Sequence, residues 1–148
     1  MAINNKTKTG NITASIIIEI LGRPPEHLKD TLNEIINKID SETGVKVIGK
    51  KINEPVLVKD KKDFYTSFAE IEIEIEEIIY LAILLFKYMP THIEIISPES
   101  ITLSNSGWND ILNELARRLH GYEEIARVLQ MEKSVLEKKL KELLAEKK

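Results

Sequence analysis

The 148 residues carry 43% hydrophobic and 30% charged side chains, the balance of an ordered globular chain long enough to bury a core. The formal charge of −3 lies too near zero to name a partner class. With no cysteine, disulfides, thiolate nucleophiles, Cys-ligated zinc and iron–sulfur clusters are all excluded. Residues 1–14 read as a flexible polar tail without the apolar stretch of a signal peptide. The longest apolar run, Ile78 to Phe86, is far short of the roughly 20 residues that span a bilayer. No membrane partner and a cytoplasmic location are the expectations. Abundant Ile, Lys and Glu would suit a thermophilic source, although an AT-rich genome produces the same bias.

Ser15 to Leu21 (SIIIEIL) is β-branched and almost continuously apolar, the pattern of an interior strand. Gly22-Arg23-Pro24-Pro25 breaks it, and Pro25 with Glu26 suits the first turn of a helix. Leu28, Leu32, Ile35, Ile36 and Ile39 share one face at helical spacing, predicting an amphipathic helix over 26–41 that ends near Gly44. Val45 to Ile52 and Pro55 to Val58 form a second strand region interrupted at Gly49, with 59–63 as a turn.

Residues 69–76 (AEIEIEIE) alternate strictly. Period two puts isoleucines on one face of a strand and carboxylates on the other, as in a sheet covered on a single side. The segment 77–89 predicts a helix apolar nearly all round, stopped by Pro90, which has to be covered on more than one side. His92 to Ile96 is the last strand, closed by Ser97-Pro98-Glu99-Ser100. Past the capping candidates Ser104-Asn105-Ser106-Gly107, three helices are expected. They are marked by Trp108 to Leu119, by Tyr122 to Leu129, and by Leu136 to Leu144.

This order, βαββαβ over residues 15–103 with a helical extension over 104–148, predicts an α+β ferredoxin-like sandwich with two helices on one face of the sheet. It resembles small ferredoxin-like domains of the ACT regulatory type. The segments 22–28 (GRPPEHL) and 88–94 (YMPTHIE) are similar to uncharacterised archaeal proteins. The ACT resemblance implies ligand binding at a subunit interface beside the first strand–helix turn, at Gly22, Arg23 and Pro24. A fold alone does not transfer a function.

Glu70, Glu72, Glu74 and Glu76 form an acidic stripe that could hold a hard cation or meet a basic partner. The simpler reading is solvated carboxylates paired across strands with Lys46 and Lys50. Either way, these carboxylates and Glu19 repel phosphate, which argues against RNA on the sheet. The segment 123–143 resembles a helix-turn-helix, but Gln130 stands where the turn glycine belongs. Residues 108–148 carry 9 Lys/Arg against 8 Asp/Glu, too little positive charge for a duplex reader. Plain helical packing, or a short coiled-coil partner contact at the spacing of Leu136, Leu140 and Leu143, is the better expectation.

His27, His92 and His120 have no ligand-type spacing, and no glycine-rich phosphate loop occurs. His92 with Glu94 is the best acid/base pair available. The sequence therefore predicts a non-catalytic small-ligand or protein-interaction module that self-associates and needs no cofactor. A DNA-binding regulator, and an enzyme or metal protein using the Glu-rich face, are the alternatives.

Overall fold

A computed structural model describes residues 11–147, and its contacts divide into one unit reaching to Trp108 and a second from Asn109 onward. The flexible tail expected over residues 1–14 falls mostly outside the described residues. Its end does not behave as tail. Strand β1 (Ile12–Gly22) begins three residues before the apolar run, because Ile12 and Ala14 continue the inward alternation of Ile16 and Ile18. All four are essentially inaccessible to water.

Helix α1 (Pro25–Asp40) follows, with Pro25 in its first turn and Leu28, Leu32, Ile36 and Ile39 as its buried stripe. Its end is tied down locally. Ser41 Oγ donates to the Lys38 carbonyl at 2.7 Å, and Asp40 Oδ1 accepts the Val47 amide at 2.8 Å. Strands β2 (Val45–Ile52), β3 (Val56–Leu57) and β4 (Tyr65–Ile75) come next, then α2 (Ile78–Tyr88) and β5 (His92–Ser97). Helix α2 stops at Met89, whose φ of 47° turns the chain left-handed while its amide still donates to the Leu85 carbonyl.

The five strands form one antiparallel sheet in the order β2-β4-β1-β5, with β3 also pairing with β4. The two central strands are those whose apolar residues are most completely buried. Ile71, Ile73 and Ile75 of β4 join Ile12, Ile16 and Ile18 of β1 under Leu32, Ile36 and Ile39 of α1 and Leu81 and Leu84 of α2. Period-two alternation in β4 thus produced one dry face and one wet face. Helix α2 is covered less than its composition predicts: Leu81 and Leu84 are buried, but Leu85 stays exposed.

Gly44 joins α1 to β2 at φ +70°, and a Cβ there would come within 2.4 Å of the Tyr80 ring. Both backbone and space demand glycine. Gly44→Ala should cost about 2–4 kcal/mol from the left-handed strain and the forced ring displacement, visible as a lowered urea midpoint with an unchanged m-value.

The largest departure from expectation lies at the C-terminus. One helix, α3 (Asn105–Glu146), runs for 42 residues where three helices were predicted. Ser104 caps it, its Oγ accepting the Gly107 amide at 3.1 Å. Gly121 and Gln130 pass through as ordinary helical positions. Neither a proline nor a run of turn formers lies between Trp108 and Leu144, and isolated Gly or Gln residues weaken a helix without ending it.

Candidate interaction surface

The wet face of the sheet gathers most of the residues singled out in the sequence. Along β4, Glu70 and Glu72 are exposed and Glu74 is half-buried, while Glu76 lies past the end of the strand and leaves the stripe. Ile17 is flanked by Glu70 and His92, and Ser15 by Glu72 and Glu94. His92 and Glu94 thus share the face, about 7 Å apart along an exposed edge strand.

The expected lysine partners are rearranged by an irregularity in β2 between Val47 and Gly49. Lys46 still lies opposite Glu74. The slip turns Lys50 over the edge, where its Nζ donates to Asn33 Oδ1 of α1 at 3.3 Å. Lys51 takes its place, 3.9 Å from Glu70. One extra residue in a strand exchanges the faces of everything after it. Glu74 accepts a hydrogen bond from the Asn11 amide. Among the described residues, no three His, Asp or Glu side chains converge closely enough to hold a metal ion.

At the strand–helix turn, the Arg23 guanidinium lies 5.3 Å from the centre of the Phe64 ring. Gly22 packs against Leu28, where an added Cβ would meet the side chain at 3.2 Å. Pro24 is the residue before α1 and makes no side-chain cap. These contacts fasten the turn to the sheet unit. A groove of about 200 Å³ opens elsewhere, between Glu42, Thr43, Val45, Tyr80, Ile83 and Leu84.

Beside that groove is a cluster the sequence did not disclose. The Glu42 carboxylate accepts hydrogen bonds from Lys87 Nζ and Tyr88 Oη, joining the end of α1 to the end of α2. The Lys87 bond, then the Tyr88 bond, holds the Glu42 carboxyl below the usual carboxylate range. Burial, reinforced by the Glu42 bond, pushes the Tyr88 hydroxyl up. The three residues are at least 45 positions apart in pairs across the helices, so no local spacing could reveal them.

A depressed folded pKa stabilises the ionised form, so the contribution of Glu42 is complete above the unfolded value of about 4.3. It is lost as pH falls through the folded value. Glu42→Gln should therefore lower the melting temperature at pH 7 and cease to matter in strong acid, a difference that paired melts at pH 7 and pH 2 would read. An equal deficit at both values would refute the assignment.

Helix α3 presents the most extensive apolar surface. Trp108, Leu115, Tyr122, Leu129, Leu136 and Leu143 recur every seven residues, and Leu112, Leu119, Ala126, Lys133 and Leu140 each follow four later. This 4-3 alternation is the a/d seam of a coiled coil, with the first set at d and the second at a. Every residue from Leu119 to Lys147 is exposed, including Leu129, Leu136, Leu140 and Leu143 at about 60%. Ion pairs flank the seam. Arg117 and Arg118 both bind Glu114, at 2.7 and 2.8 Å, and hold its carboxyl below the usual range. Arg127 lies 2.7 Å from Glu123.

The sequence had pointed to three of these leucines as a coiled-coil contact. An unbroken helix joins them to the other eight positions and removes the bend that a helix-turn-helix needs at Gln130. Among the described residues, no helix is long and apolar enough to cross a membrane.

No curated protein and no solved structure matches the chain. A family model does match it over residues 13–147, from β1 to the end of α3. That span takes in nearly all of the sheet unit and the whole of the long helix together, and the chain belongs to the MJ0538 family, an uncharacterised family named after a Methanocaldococcus protein.

Proposed function

We propose that this protein is a self-associating interaction module, in which a ferredoxin-like sandwich carries a coiled-coil helix that joins two copies of the chain. The order β2-β4-β1-β5, with α1 and α2 sharing one core against a single face, supports the ferredoxin-like reading.

The heptad seam of α3 carries the proposal. A helix of 42 residues is about 63 Å long, and one that leaves seven leucines, a valine pair and a methionine more than a third exposed gains stability only by pairing. A second copy supplies a seam of matching length and spacing. The near balance of charge over 108–148 favours such a partner over a strongly acidic or basic one.

Light scattering on the full chain is the test. The expected result at tens of micromolar is a mass twice the 16.9 kDa of one chain, falling on dilution. A mass that stays at one chain up to high micromolar concentration would end the proposal.

A further inference from the structure

The seam also contains information about how two copies would lie. Within it, Lys133 is the charged position flanked by apolar layers on both sides, and Ala126 is the small one. In a parallel pair each residue meets its own copy. Two Lys133 ammoniums would then face each other in one a layer, and two alanines in another would leave a gap between Tyr122 and Leu129. The flanking positions do not compensate. Arg118 would meet the partner's Glu123, an attraction, while Glu132 would meet the partner's Glu137, a repulsion.

In an antiparallel pair each a residue meets a d residue instead, and the two numbers in every layer have a constant sum. Sums of 248 and 255 overlap the two helices almost equally; 248 would set Lys133 against Leu115, and 255 is the one that sets it against an aromatic ring. Leu112 then meets the partner's Leu143, Leu119 the partner's Leu136, and Leu140 the partner's Leu115. Ala126 lies against the partner's Leu129, a small residue against a large one. Lys133 lies against the partner's Tyr122, where its methylene stem packs on the ring and its ammonium reaches the aromatic face or the rim. Glu137 of its own helix, 3.9 Å away, accompanies the charge. One rim contact is unfavourable, Arg118 beside the partner's Lys139. Arg118 is already bound by Glu114 at 2.8 Å, which softens it.

We infer that α3 pairs antiparallel with α3 of a second copy, in the register that sets Lys133 on the partner's Tyr122. This rests on the self-association proposed above and specifies its geometry. The five pairings, each occurring twice by symmetry, stack no like charges in the seam, and both helices are used along nearly their whole length.

The chain's lack of cysteine makes the test direct. Leu112→Cys and Leu143→Cys proteins, prepared singly and mixed after reversible unfolding, are joined with a short bismaleimide, and the linked peptides are identified by mass. The expected product joins position 112 to position 143, at least roughly tenfold over either self-linked product. Ala116→Cys with Glu137→Cys repeats the measurement at rim positions, leaving the seam leucines intact should the first pair disturb folding.

Self-linked 112–112 and 143–143 products from a protein that scatters as a dimer would overturn the antiparallel pairing alone. A failure of the 112–143 link, with Leu112→Cys joining a Leu136→Cys protein in its place, would overturn the register. A monomer by light scattering, with no cross-link, would remove both this inference and the self-association beneath it.

Discussion

Replacing Leu129 and Leu136 together by lysine is expected to leave the chain monomeric and to reduce its helical ellipticity at 222 nm. Both residues are about 60% exposed in the single chain and occupy consecutive d positions near the middle of α3. Burying the remainder of each leucine contributes roughly 1.5 kcal/mol per copy, so losing two in each of two copies removes about 6 kcal/mol. That corresponds to about four orders of magnitude in the dimer dissociation constant. The helical signal falls as well, because a free helix in water is held only by local hydrogen bonds and the flanking ion pairs. Lys138→Ala, on the outer side of the same helix, should leave both mass and ellipticity unchanged. Should the double variant remain a dimer with undiminished ellipticity, the seam is not what joins the copies.

The second large effect is expected at Ile73, in the centre of β4. Its side chain is fully inaccessible and belongs to the core formed by β1, β4, α1 and α2. Ile73→Ala leaves a cavity that rigid neighbours on two strands and a helix cannot close, costing about 2–5 kcal/mol. For a unit of this size the melting temperature should fall by roughly 10–20 °C. The adjacent Glu72 is exposed on the opposite face, and Glu72→Ala should change stability by no more than about 0.5 kcal/mol. Similar losses at the two positions would contradict the one-sided sheet.

The pair of substitutions also separates the two halves of the proposal. Ile73→Ala should weaken the sheet unit while the C-terminal helix continues to associate, and the lysine variants should do the reverse. Two melting transitions that respond independently would show that the core of β1 and β4 and the seam of α3 are distinct sources of stability.

Residues close in sequence determined the local elements. The alternation of Ile71 to Ile75 with its glutamates, the four-residue spacing of the α1 stripe, and the prolines at 25 and 90 each act within a few residues. Their outcome is visible in the local order of residues alone. Three things depended on the assembled fold. The irregularity between Val47 and Gly49 exchanged Lys50 for Lys51 on the wet face, since register is set by what the partner strand and α1 accept. The bonds from Lys87 and Tyr88 to Glu42 required two helix ends to meet. Strand β1 reached back to Ile12 because Ile75 of β4 lay ready to pair with it. The long C-terminal helix stands between these cases. Its seven-residue repeat is written in the chain from Trp108 to Leu143, but only an unbroken backbone puts all those side chains in one line. Whether a helix continues past a weak glycine or glutamine is decided by cooperative hydrogen bonding along its whole length, which no short window of sequence contains.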